Sequence, residues 1–158
     1  METLTLNSED LTYNILYRLL AEAVYRKSAG VVIIKKKKSD FLYLALIKDN
    51  GEYDIAKGKI EDGESDLECA CREAKEEAGI ILTNKNFKWG FINKRYNSGI
   101  AFISTTTETP KILPNPSTGE LEHKNVKWVT FDEMLDNVSS FLRPIILWSN
   151  DVISKSGN

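Results

Sequence analysis

Three glutamates, Glu73, Glu76 and Glu77, stand at positions i, i+3 and i+4 of a segment with helical character. On a helix those positions share one face, and like charges there cost roughly 0.2–0.5 kcal/mol per pair. The opposite face, made by Leu67, Ala70, Cys71, Ala74 and Ala78, is apolar and mostly small. Such a helix can lie close to a sheet while its acidic edge looks into a cleft. A divalent cation reverses the sign of the repulsion, because hard Mg²⁺ or Mn²⁺ takes oxygen ligands and leaves positions for water and phosphates. Without a cation, the same run reads as a solvated acidic face. Gly58 and Gly63 fit a preceding loop that bends sharply and approaches a ligand. The helix spans about Asp66 to Ala78, Gly79 is placed to end it, and Arg72 can grip a carboxylate with two donors.

The rest of the chain narrows what this helix can serve. Its 158 residues suit one domain, and 42% hydrophobic with 28% charged residues is the mixture of a soluble globular protein. A formal charge of −2 gives no global attraction to nucleic acid, so a polyanion must be met by local charge or a metal. No apolar run is long enough to cross a bilayer. Cys69 and Cys71 diverge on a helix, which argues against a disulfide; with no signal peptide, a cytoplasmic location is expected.

Along the chain, the segment from Ser8 carries Leu11, Ile15, Leu16, Leu19, Leu20, Ala23 and Val24 at helical spacing. The stripe predicts a helix packed on its own domain or, in a homodimer, on a second copy. "AGVVIIKK" and "FLYLALIKD" form a hairpin candidate across "KKKKSD", whose lysines read as a solvated tip. After the acidic helix, "NFKWGFINKRY" and "GIAFISTTTE" read as strands, "TPKILPNPSTGE" as an irregular loop, and "KNVKWVTFDEM" as a strand entering a helix. "SSFLRPIILWSND" is a closing helix, and "VISKSGN" a frayed tail. This order predicts an α/β fold, an α/β/α sandwich with a mixed central sheet plus an extra N-terminal helix. The expected division is 1–27 as helical extension, 28–150 as the domain and 151–158 as flexible tail.

Residues 58–80 also match a spaced pattern, G-x5-E-x7-R-E-U-x-E-E-x-G-U with U bulky and apolar. Gly58, Glu64, Arg72, Glu73, Glu76, Glu77, Gly79 and Ile80 fill its fixed positions, and Ala74 is small for the first U. The chain therefore resembles the Nudix hydrolase superfamily, the MutT-like enzymes, over about Ser28 to Asn150. The resemblance implies a Nudix fold and a hydrolase that cuts a nucleoside diphosphate linked to a further group. It implies Mg²⁺, with Mn²⁺ as substitute, held by Glu73, Glu76, Glu77 and the Gly58 carbonyl. It further implies that Arg72 orients a carboxylate and that Glu64 supports the loop or binds an additional metal through water. The general base is open among Glu76, Glu77 and Glu122, and Glu122 is also placed to reach the metals. His123, the one histidine, reads either as a surface residue or as part of the site.

The stretch around the pattern is most similar to the asymmetrical diadenosine tetraphosphate hydrolases, through Tyr53, Lys57, Asp66, Leu67 and Glu68. Ala56 departs from that group's usual proline, and Val126 stands where some members carry a tyrosine. Lys57 would hold a phosphate, and Tyr53 would stack on a base or simply pack, with Tyr96, Lys94 and Arg95 as second candidates for ring and phosphate contacts. Trp128 reads as a core anchor. The expected substrate is a dinucleoside polyphosphate; ADP-ribose, an RNA 5′ end and nucleoside triphosphates are the enzymatic alternatives. A nucleotide-binding module without catalysis is the alternative of a different class.

Overall fold

The computed structural model describes residues 8–25 and 27–156. Its elements run α1 (Ser8–Tyr25), β1 (Ser28–Lys37), β2 (Asp40–Ile47), β3 (Tyr53–Asp54), β4 (Ala56–Lys59), α2 (Asp66–Ala78), β5 (Asn93–Tyr96), β6 (Gly99–Thr105), β7 (Asn125–Val129), α3 (Phe131–Asn137) and α4 (Arg143–Lys155). The strands form one mixed sheet in the order β3-β2-β1-β6-β5, with β4 also on β1 and β7 also on β2. Only β1 and β6 run parallel, Ser28 facing Gly99 and Ile34 facing Thr105; the other pairs are antiparallel.

β1 explains the three-layer build. Its residues Ala29 to Ile34 are buried without a break, as expected of a strand covered on both faces. Val31 and Ile33 pack with Leu44 and Leu46 beneath Ala70, Ala74 and Ala78 of α2. Val32 and Ile34 face the other way, with Tyr43 and Ala45, onto Met134 of α3 and Ile145 and Ile146 of α4. The small side chains of α2 let it approach the sheet closely, which brings its acidic edge beside β4. The α/β/α sandwich and mixed sheet expected from the sequence are thus present.

Several local expectations change. The stretch "NFKWGFINKRY" is a strand only from Asn93; Gly90 turns the chain at φ +77° and Asn84–Asn86 forms a 3₁₀ turn. Gly58 lies in β4 rather than in a loop, opposite Ala29, while Gly63 does occupy a turn, at φ +79°. Helix α4 continues through the stretch expected to fray, with Ile153 buried and Lys155 its last residue. Pro144 sits in its first turn, where its missing N–H costs nothing.

α1 forms as its spacing predicts, yet Leu11, Ile15, Leu16 and Leu20 are each more than half exposed. The expectation that this stripe packs on its own domain is not met at those four positions. Both sheet faces are already covered, one by α2 and the other by α3 with α4. The side chains of Leu19, Ala23 and Val24 lie outside the described residues, as do residues 1–7, 26, 157 and 158.

Candidate active site

The candidate site draws on three parts of the chain. α2 supplies Arg72, Glu73, Glu76 and Glu77, and β4 supplies Lys57 and Gly58. The connection between β6 and β7 supplies Glu122 and His123. All of them line one cleft of about 490 Å³, whose apolar wall includes Ile60, Ile112, Leu113 and Pro116. Local chemistry sets the register of α2. Ser65 accepts from the Glu68 N–H, and the Glu68 carboxylate accepts from the Ser65 N–H, a reciprocal cap; Gly79 closes the helix at φ +66°.

Arg72 is the hub of the acidic edge. Its Nε and Nη2 donate to the two oxygens of Glu64 at 2.7 and 3.0 Å. Nη1 donates to Glu73 at 3.0 Å and Glu76 at 3.1 Å, and Nη2 reaches the Lys59 carbonyl at 2.9 Å. The Glu64 hydrogen bonds push the guanidinium further above its usual range, and Arg72 in turn holds Glu64 below the ordinary carboxyl value. A planar fork of five donors can meet three acids and a carbonyl through five hydrogen bonds, where a lysine ammonium has only three donors.

Glu73 and Glu77 are buried on the inner side of this edge. Burial pushes both carboxyls up, and for Glu77 the neighbouring Glu73 adds to the effect. A Cβ on Gly58 would lie 2.0 Å from Glu73 Oε1, so Gly58 makes room for that carboxylate. Glu77 is fastened at both oxygens: the Lys57 backbone N–H donates to Oε1 at 3.2 Å, and His123 Nδ1 lies 3.2 Å from Oε2. His123 Nε2 is 3.1 Å from Asp54 Oδ2, the oxygen that also accepts from Lys57 Nζ at 3.2 Å. Burial alone would raise Asp54, but the His123 hydrogen bond, helped by Lys57 and Lys48, outweighs it and lowers the carboxyl. Glu122 is exposed at the rim, its Oε1 accepting from Asn115 Nδ2 at 2.7 Å.

This donor set fits a hard cation. Glu77, Glu122 and His123 each bring one ligand-type atom within 4.8 Å of the others. Both His123 nitrogens already meet carboxylates, which leaves oxygen donors to face the cleft. Two desolvated acids, raised in pKa and beside further acids, form an arrangement that added positive charge relieves.

The other residues singled out from the sequence fall elsewhere. Tyr53 is buried, its hydroxyl donating to Glu133 at 2.9 Å and its ring 5.3 Å from Lys127 Nζ. Tyr96 is also buried, packed on Gly99 and bonded to the Ser28 hydroxyl. Neither ring lines the cleft, nor does Arg95, which is exposed on β5. Trp128 packs against the core beneath α2, with Lys35 Nζ 4.8 Å over its ring. Of the Asp66-Leu67-Glu68 run, Leu67 packs on that core and Glu68 caps the helix, so two of its three positions have structural work. Asp54 and Asn115 were not identified from the sequence. Nothing in their local spacing distinguishes them: Asp54 meets His123 from far along the chain, and Asn115 reaches Glu122 seven residues on, across an irregular loop.

Comparison with known proteins agrees with this geometry. The NUDIX domain family matches residues 24–149. Two curated relatives, the mRNA-decapping enzyme subunit 2 and the m7GpppN-mRNA hydrolase of two Saccharomyces cerevisiae strains, are each 26% identical over 140 residues. That match takes in 78% of this chain but 14% of either relative, so the chain spans a small part of their length. A Caenorhabditis elegans Ap4A hydrolase has the same fold at a TM-score of 0.65, with 18% identity over 82% of this chain and 99% of that one. The M. smegmatis Nudix hydrolase RenU gives 0.60 at 13% identity over 83% of this chain and 88% of that one. With the family matched across most of its length and its acids gathered on one cleft, the chain belongs to the Nudix hydrolase family.

Proposed function

We propose that this protein is a divalent-cation-dependent pyrophosphohydrolase acting on a polyphosphate that bridges two nucleosides, a diadenosine polyphosphate first among them. The observation that carries the reading is the convergence of Glu73, Glu76 and Glu77 with Glu122, Gly58 and Lys57 on one cleft. Glu73, Glu76, Glu77, Glu122 and the Gly58 carbonyl would hold Mg²⁺ or Mn²⁺. Bound there, the cation supplies charge neutralisation for the phosphates and a more acidic attacking water. Arg72, braced by Glu64, keeps Glu73 and Glu76 in place. Lys57 Nζ presents a positive charge to a phosphate oxygen. Glu122 takes the proton of the attacking water: it is exposed to the cleft, and one of its oxygens is held by Asn115. Ile112, Leu113 and Pro116 offer an apolar wall to a nucleoside.

The diadenosine substrate is supported by the Lys57 position and by the fold shared with an Ap4A hydrolase. A capped RNA 5′ end is a second reading, supported by the relative named for hydrolysis of m7GpppN-mRNA. Both present a polyphosphate between nucleosides, so one assay separates them. Purified protein with Mg²⁺ is offered diadenosine tetraphosphate, m7G-capped RNA, ADP-ribose and dGTP, and products are resolved chromatographically. ATP plus AMP from the tetraphosphate, abolished by a chelator and lost in Glu77→Gln, is the expected result. In Glu122→Gln the rate falls by about 10²–10⁴-fold. Turnover of capped RNA alone moves the substrate to the second reading. Nucleotide binding with no turnover of any of the four would sink the enzymatic reading.

A further inference from the structure

Resting on the metal-dependent reading above, we infer that His123 is a positioning residue that sets the Glu77 carboxylate with one ring nitrogen and, through Asp54, the Lys57 ammonium with the other. Three observations carry this. First, His123 and its two carboxylate partners are all nearly excluded from solvent: relative exposure is 5% for His123, 7% for Glu77 and 3% for Asp54. A solvated surface histidine would not show this. Second, the contacts run through opposite nitrogens, Nδ1 to Glu77 at 3.2 Å and Nε2 to Asp54 at 3.1 Å. With both ends held, the ring can neither flip nor swing into the cleft. Third, Asp54 Oδ2 is also the oxygen that receives Lys57 Nζ at 3.2 Å, so the chain continues to the proposed phosphate contact.

The three elements joined this way are α2, β3 with β4, and the segment before β7. A buried carboxylate with a free χ rotation would sample several orientations; one held from both sides does not. Glu77 has the Lys57 N–H on one oxygen and His123 on the other, which restricts it to a single rotamer. Residues one shell beyond the ligands commonly change metal affinity or activity by about 10–100-fold when replaced.

Asn and Gln separate the two ends, since the Asn side-chain nitrogen lies near the Nδ1 position and the Gln nitrogen near Nε2. The experiment measures Mn²⁺ binding by the electron paramagnetic resonance of free Mn²⁺, together with thermal melting and the substrate KM. It is run on wild type, His123→Asn, His123→Gln and Asp54→Asn. His123→Gln is expected to bind Mn²⁺ about 10–100-fold more weakly, while His123→Asn stays close to wild type. Asp54→Asn keeps Mn²⁺ affinity and raises KM, because Lys57 loses its ionic partner. Equal losses in the two His123 variants, or none in His123→Gln, overturn the assignment. Should both His123 proteins melt below the assay temperature, Asp54→Asn decides: a KM equal to wild type overturns it. Wild type that binds no Mn²⁺ removes the metal site itself, whereas tight wild-type binding that His123→Gln leaves intact removes only the role of His123.

Discussion

Gly58 lacks a side chain at the one place where a methyl group would sit 2.0 Å from Glu73 Oε1. Its value is space rather than unusual backbone, since it lies in a regular strand. Gly58→Ala should therefore leave the fold intact and displace the Glu73 carboxylate. A misplacement of about 1 Å can cost roughly 10²-fold in rate, so kcat/KM is expected to fall by about that factor, with Mn²⁺ affinity falling alongside; steady-state kinetics and the Mn²⁺ titration check both. Arg72 is the other residue whose consequence is out of proportion to its exposure. Glu64, Glu73 and Glu76 all take donors from it, so Arg72→Lys releases three carboxylates together. At this scale the acids, the arginine and the glycine were legible in the sequence by their spacing. Asp54 and Asn115 were not: Asp54 meets His123 only in the folded chain, and Asn115 holds Glu122 through an irregular loop that has no periodic pattern.

Helix α2 owes its ends to local chemistry and its position to its small face. Ser65→Ala removes the cap on Glu68 and should cost about 1 kcal/mol. In a chain of this size that is a fall in melting temperature of about 2–4 °C, read by calorimetry with activity retained. Helix α1 makes the contrast. Leu16 is 54% exposed, so Leu16→Lys should change stability by less than about 0.5 kcal/mol, whereas Ile33→Ala in the core should cost about 2–5 kcal/mol. Denaturant unfolding of the two variants side by side tests the difference. Periodicity alone foretold a helix in both segments. It could not foretell burial, because that depends on whether another apolar surface is free to meet the stripe.

For the molecule as a whole, two buried acids with raised pKa values couple stability to pH and metal. A carboxyl whose folded pKa is raised stabilises the fold fully below its unfolded value, near 4.5, and loses that contribution as pH rises through the folded value. Metal-free protein should thus melt progressively lower as pH climbs from about 5 toward alkaline values, and Glu77→Gln should flatten that decline. Mg²⁺ at about 100 times its dissociation constant should restore roughly 2.7 kcal/mol, seen as a rise in melting temperature that a chelator reverses. From the sequence alone came the α/β/α layering, through the order of its helices and strands, and the close approach of α2, through its small apolar face. The spacing of Glu73, Glu76 and Glu77 came from it too, since helical geometry is local and needs no partner. Only the tertiary structure decided which residues gather at the candidate site. The sheet register and the closure of the loop ahead of β7 bring Glu122, His123, Asp54 and Lys57 to α2, and the same packing draws Tyr53 and Tyr96 into the core. Those outcomes depend on contacts between residues far apart in the chain, which no local pattern encodes.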